Sequence, residues 1–214
     1  MNRGAVILCG GRSSRMGRDK ATLPFGPELM LPRLVRLVGE AVATEKIVVV
    51  AAVGQNLPPL PAGVTIVRDE RPERGPLEGL AAGLRAHARR SDAVFVTACD
   101  VPLLVPAVIE ALFAELGAHA AVAPLDADFP HPLSTVYRTS VLAAVEQLLA
   151  ADQLRAIRVF DKVDTLKLSV ERLRGRSQFV DARKPQHARR LRACSGVGRV
   201  QPVGNALRGV PNRW

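Results

Sequence analysis

The residues best suited to chemistry stand together in "AVILCGGRSSRMGRDK", residues 5–20. A short apolar run ends in Gly10-Gly11, and Arg12, Arg15, Arg18 and Lys20 follow. Glycines let backbone N–H groups turn toward an anion with no Cβ in the way. Arginine and lysine supply cations that bind phosphate oxygens. Neither common phosphate loop applies. The spacing from Gly11 to Gly17 is one residue too long for G-x-x-x-x-G-K-[ST], and the G-x-G-x-x-G pattern is absent from the stretch. A Gly-Gly turn with solvated arginines is the bland alternative. The position of the turn, directly after a buried strand, favours an anion site.

The elements around this loop tell where it must sit. "AVILC" (5–9), "KIVVVAAV" (46–53), "GVTIVRD" (63–69), "DAVFVTACD" (92–100) and "HAAVAP" (119–124) read as strands. The β-branched run at 46–53 suits a parallel strand covered on both faces. Residues 30–44, 75–90, 105–116 and 140–151 carry apolar positions at helical spacing, and Pro76 suits a first helical turn. Strand and helix alternate, which predicts βαβ units, a mainly parallel sheet and helices on both faces. Ligands of such sheets bind beyond the carboxyl ends of the strands. Those ends carry Gly10-Gly11, Asp69 and Asp100. Asp100 has a plainer reading too, as a cap on the turn that Val101-Pro102 begins.

With 214 residues and 48% apolar content the chain can bury a substantial core. No apolar run approaches the ~18 residues of a membrane span, and the first residues show no secretory leader pattern. A cytoplasmic protein is expected. Cys9, Cys99 and Cys194 match neither a disulfide framework nor a zinc spacing. Cys9 and Cys99 are expected as small buried residues at the ends of neighbouring strands. Net charge is +10, unevenly spread: residues 1–152 hold 15 basic and 16 acidic side chains, residues 153–214 hold 15 and 4. A basic face for a polyanion and a plain solvated surface both fit this excess. Aromatic content of 4% argues against binding of single-stranded nucleic acid by stacking. Residues 1–193 are expected as one catalytic domain, and 194–214, rich in Gly, Pro, Asn and Arg, as a poorly ordered tail.

The spacing G-G-x-S-x-R-M-G-x-x-K resembles the signature loop of the sugar-phosphate and cofactor nucleotidyltransferases. "LCGGRSSRMGRDKATLPFG" is similar to the loop of the molybdenum cofactor guanylyltransferases in particular. "GPLEGLAAGL" (75–84), "CDVPLL" (99–104) and "HPLSTVYR" (131–138) resemble that family's G-P-L-x-G helix start, C-D-x-P metal site and H-P-L segment, in the same order. The resemblance implies a Rossmann-like three-layer α/β/α fold. It implies Mg²⁺-dependent transfer of GMP from GTP to molybdenum-bearing molybdopterin, with release of pyrophosphate. Leu8, Cys9 and Gly10 would lie along the guanine and ribose, and Gly11, Arg12 and Ser13 would complete the nucleotide loop. Lys20 and Arg15 would sit on the triphosphate, Asp69 would bind the nucleotide, and Asp100 would hold Mg²⁺. One aspartate suffices, because Mg²⁺ takes its other ligands from phosphates and water. His131, Asp181 and Arg183 are candidate contacts to the acceptor, and a hydrogen-bonded structural role is the plainer reading of His131. The substrates would be GTP and the pterin cofactor, with transient contact to cofactor-biosynthesis proteins or molybdoenzymes. A monomer is expected, with neither membrane nor nucleic acid as partner.

Two departures stand out. The family often has an asparagine after its second strand, where this chain reads "VVVAAVGQ", with Ala51 or a neighbour in its place. The family's closing N-x-N-T-P-E-[DE] type motif is met only by "FVDARKPQHARRL" (179–191), with Asp181 and Arg183 in place of the asparagines. Two alternatives therefore stay open. One is a sibling transferase using CTP or a sugar-phosphate acceptor, against which Gly10-Gly11 and "GPLEG" speak. The other is a non-catalytic homologue with a basic binding surface, against which Lys20 and Asp100 speak.

Overall fold

Strands and helices alternate along the chain as the apolar periodicity predicts, and the computed structural model describes residues 1–10, 19–69, 71 and 74–173. In order they are β1 (Arg3–Leu8), the hairpin strands β2 (Pro24–Phe25) and β3 (Glu28–Leu29), α1 (Met30–Gly39), β4 (Ile47–Ala52) and β5 (Thr65–Asp69). Then follow α2 (Gly75–His87), β6 (Ala93–Ala98), α3 (Pro106–Ala114), β7 (Ala121–Asp126), β8 (Phe129–Pro130), β9 (Ser134–Arg138), α4 (Leu142–Ala150) and β10 (Thr165–Ser169). The main sheet has the order β10-β7-β9-β6-β1-β4-β5, with β8 paired to β7. β1 pairs in parallel with β4 on one side and β6 on the other. The chain therefore runs outward from β1 through β4 to β5, then returns to the far side of β1. That reversal creates the crevice where such sheets bind ligands.

Both faces of the sheet are covered, as the expected three-layer α/β/α architecture requires. Ala5, Ile7 and Cys9 point into one core with Leu31, Leu34 and Val35 of α1 and Ile109 and Leu112 of α3. Val6 and Leu8 point the other way, to Leu77, Leu80 and Leu84 of α2 and Val145 and Leu148 of α4. The period of two along β1 accounts for this split, and the two covered faces account for its unbroken apolar run. α2 lies unusually close to β1. A Cβ added at Gly83 would come within 2.4 Å of Val6 Cγ1, and one at Gly79 within 3.3 Å of Leu8 Cδ2.

Besides the short strands β2, β3 and β8, the structure departs from expectation in three places. The helix predicted over 30–44 stops at Gly39, and Thr44–Lys46 forms a separate 3-10 turn. The apolar spacing runs on because Val42 enters the core from a loop, its N–H bonded to the Val38 carbonyl. The segment "STVYR" forms β9, antiparallel to both β6 and β7, where no strand was expected. Its polar residues hide a buried strand, because their hydroxyls find partners: Thr135 Oγ1 donates to the His131 carbonyl at 2.6 Å and Tyr137 Oη to the Pro132 carbonyl at 3.0 Å. β10, likewise unforeseen, adds a parallel edge strand beside β7. No helix among the described residues is long and apolar enough to cross a membrane. The boundary expected at residue 193 lies outside the described residues.

Candidate active site

Register decides what the carboxyl edge of the sheet presents. Val67, Val50, Leu8 and Ala98 lie level across β5, β4, β1 and β6. Two residues further along each chain come Asp69, Ala52, Gly10 and Asp100. Two carboxylates thus bracket a floor of glycine and alanine. Their strands are three spacings apart, about 14 Å at the usual distance between strands. Among the described residues a Cβ at Gly10 would meet no atom nearer than 3.4 Å, the Ala52 nitrogen. Their packing therefore does not demand glycine there.

At one end of this floor the Lys20 ammonium lies 2.8 Å from Asp100 Oδ2. Asp19 caps the 3-10 turn Lys20–Thr22 by accepting the Ala21 N–H at 2.9 Å. The Asp100 carboxylate thus engages a lysine, where the plainer reading had it capping its own turn. The backbone just beyond is held from α1, where Arg33 Nε donates to the Pro102 carbonyl at 2.8 Å. Arg33 also bonds Glu28 at 3.0 Å and covers the Phe25 ring at 5.1 Å. The Arg36 guanidinium, helped by Arg33, holds the Glu28 carboxyl down at about 2. At the other end of the floor, Asp69 accepts the Arg71 N–H at 3.0 Å.

Leu8 and Cys9 bury their side chains in opposite cores, so only their backbone faces the edge. Much of that backbone is already engaged. The Leu8 carbonyl accepts from the Cys99 N–H at 2.9 Å, and the Cys9 N–H donates to the Val50 carbonyl at 2.7 Å. The Cys9 carbonyl accepts from the Gln55 amide at 3.2 Å. What these carbonyls still offer a ligand is a second lone pair each. A hydrogen bond with Cys99, together with burial, pushes the Cys9 thiol far above its usual range, which keeps it inert.

His131 lies beside β7, its backbone N–H bonded to the Pro124 carbonyl at 3.0 Å. Ser134 pairs with Thr97 near the carboxyl end of β6, so the turn before β9 reaches the same sheet edge. Among the described residues the buried ring Nε2 of His131 has no hydrogen-bond partner. Burial pushes the imidazole pKa down. Gly11, Arg12, Ser13, Arg15, Asp181 and Arg183 lie outside the described residues. Sequence reasoning missed Arg33 and Gln55. Neither belongs to a motif, and only long-range hydrogen bonds reveal them.

No cluster of three or more His, Cys, Asp and Glu able to hold a metal occurs among the described residues. A cage of the zinc type is thus not built from them. A single, partly exposed Asp100 carboxylate suits Mg²⁺, which takes few protein ligands and completes its shell with phosphates and water.

Residues 5–165 match the family model of the MobA-like NTP transferase domain. The chain belongs to the MobA-like NTP transferase family. It is accordingly a nucleotidyltransferase. A probable molybdenum cofactor guanylyltransferase of Mycobacterium tuberculosis is 37% identical over 171 residues, covering 76% of this chain and 81% of that protein. A protein of the same description from Mycobacterium ulcerans is 39% identical over 169 residues, with the same coverage. Among solved structures, molybdopterin-guanine dinucleotide biosynthesis protein A of Archaeoglobus fulgidus superposes with a TM-score of 0.64 at 20% identity, covering 92% of this chain and 100% of that one. The MobA-like family thus shares the mostly parallel sheet and flanking helices described above.

Proposed function

We propose that this MobA-like transferase moves GMP from GTP to the terminal phosphate of molybdenum-bearing molybdopterin. The observation that carries this reading is the row Asp69, Ala52, Gly10 and Asp100 along one sheet edge, with Lys20 beside Asp100. A nucleoside fits over the side-chain-free floor at Gly10, with Asp69 at its outer end. The triphosphate then reaches the end where Lys20 and Asp100 stand. The names of the mycobacterial relatives support guanine as the base and the molybdenum cofactor as the acceptor.

Asp100 would hold Mg²⁺, with phosphate oxygens and water completing the shell. When bound, Mg²⁺ neutralises charge on the α-phosphate and on the departing pyrophosphate. Lys20 lies within reach of the same phosphates and balances the charge that grows on the leaving oxygen. An acceptor phosphate oxygen forms the new bond to the α-phosphorus while the bond to the pyrophosphate oxygen breaks. No covalent enzyme intermediate is required, so catalysis rests on positioning and charge. The acceptor would approach from the side of β9 and β7, where His131 offers a buried ring nitrogen with no partner among the described residues.

The test uses the purified protein with GTP, Mg²⁺ and molybdenum-loaded molybdopterin. Pyrophosphate and the guanine dinucleotide form of the cofactor should appear together, with CTP and ATP as poorer donors. Release no greater than in a control lacking acceptor would overturn the reading.

A further inference from the structure

Gln55 lies in the turn after β4, close to where the family's asparagine would stand. Its side chain points back into the protein and joins three separate pieces of chain. Nε2 donates to the Cys9 carbonyl at 3.2 Å and to both Asp19 carboxylate oxygens at 2.9 and 2.8 Å. Oε1 accepts the Ala52 N–H at 2.9 Å. The opposite amide orientation would set oxygen against three oxygens and NH₂ against an N–H, so the partners fix the rotamer. From the next strand, Arg68 Nη1 donates to the Gln55 carbonyl at 2.9 Å and the Ala52 carbonyl at 3.0 Å. Both amide hydrogens of Gln55 are committed within the protein.

We infer that Gln55 is a positioning residue, which locks Asp19 to the ends of β1 and β4 and so sets the Lys20 ammonium against Asp100. The chain of contacts is short. Gln55 holds the Asp19 carboxylate, Asp19 caps the turn through the Ala21 N–H, and Lys20 lies between them. Lys20 then meets Asp100 at 2.8 Å. The committed amide also changes the meaning of the missing asparagine: the polar side chain after β4 serves the phosphate end of the site through Asp19. This inference deepens the nucleotidyl-transfer reading by naming what aims its lysine.

The experiment compares Gln55→Ala, Gln55→Glu, Asp19→Asn and the double variant Q55E/D19N. The first readout is amide hydrogen exchange of the full chain without substrates. In Gln55→Ala the Ala21 amide should exchange at least about tenfold faster, while β1 and β4 amides keep their protection. The second readout is turnover with GTP, Mg²⁺ and the pterin acceptor. There kcat should fall about ten- to a hundredfold, more than KM for GTP rises, because a displaced Lys20 loses the charge stabilisation it gives the leaving oxygen. Gln55→Glu sets a carboxylate against the Asp19 carboxylate and should be the worst variant. Adding Asp19→Asn to it replaces that second carboxylate by an amide and should restore a large part of the loss. Unchanged Ala21 exchange in Gln55→Ala, or a double variant no better than Gln55→Glu, would overturn the inference. If the wild-type protein proves inactive with this acceptor, the reaction assignment fails, and the exchange readout still decides the role of Gln55.

Discussion

Lys20 and Asp100 meet at 2.8 Å across 80 residues of chain. The two side chains keep 31% and 30% of their surface exposed. An ion pair so placed adds only about 0–1 kcal/mol to stability, since solvent screens it. Its value therefore lies in where it puts an ammonium and a carboxylate. Asp100→Asn should cut Mg²⁺-dependent turnover by about a hundredfold or more. Its melting temperature should move by no more than about 4 °C. Unchanged turnover would take the metal away from Asp100.

Among the described residues the nearest atom to a Cβ built at Gly10 is 3.4 Å away, an ordinary van der Waals contact. Gly10→Ala should therefore fold normally. If the nucleoside lies over this position, the same methyl raises KM for GTP, by about tenfold for a clash of a kcal or so. Calorimetry and steady-state kinetics on the one variant separate the two effects. A normal KM would move the nucleoside away from Gly10.

Gly83 makes the contrasting case. A Cβ there would sit 2.4 Å from Val6 Cγ1, and Val6 lies in the fully buried centre of the sheet. Overpacking of this kind costs about 1–3 kcal/mol. Gly83→Ala should lower the denaturation midpoint accordingly. An unchanged midpoint would show that α2 shifts off β1 without penalty.

His87 is fully buried, with Nε2 against the Ala5 carbonyl at 3.2 Å and Nδ1 against Ser91 Oγ at 3.0 Å. Burial pushes its pKa below the ordinary 6.5, and the Arg90 and Lys46 charges add to this. Below about pH 6.5 the unfolded chain takes up a proton that the folded protein resists, so stability is full above that pH and falls beneath it. His131 pulls in the same direction, whereas the Glu28 contribution is lost only as pH falls from 4.5 toward about 2. Urea titrations at pH 7.5 and 5.5 should show the loss, and His87→Gln should flatten it. Equal slopes in the two proteins would assign the loss elsewhere.

The layered α/β architecture was legible because burial leaves a local mark. The unbroken apolar run of β1 and β4 reports cover on both faces, and the spacing in α3 reports a helix on the sheet, although Ala107 and Ala111 are buried beside its stripe and Val105 is exposed. Glycine after β1, aspartate at the end of β5 and aspartate after β6 were legible as edge residues for the same reason. β9 was not, since its Ser, Thr and Tyr read as polar, while their hydroxyls fold back onto carbonyls one to five residues upstream and so can be buried.

By itself, then, the sequence determined most of the strands and helices, β9 and β10 excepted, that a stretch rich in glycine and cations follows the first strand, and that carboxylates stand at the ends of two others. Those properties depend on neighbours within a few residues. Only the tertiary structure decided that β9 runs antiparallel between β6 and β7, that Asp100 meets Lys20, and that Gln55 clasps Asp19. Strand order and side-chain hydrogen bonds between distant segments are set by how the crossovers pack on the sheet, which no local periodicity encodes.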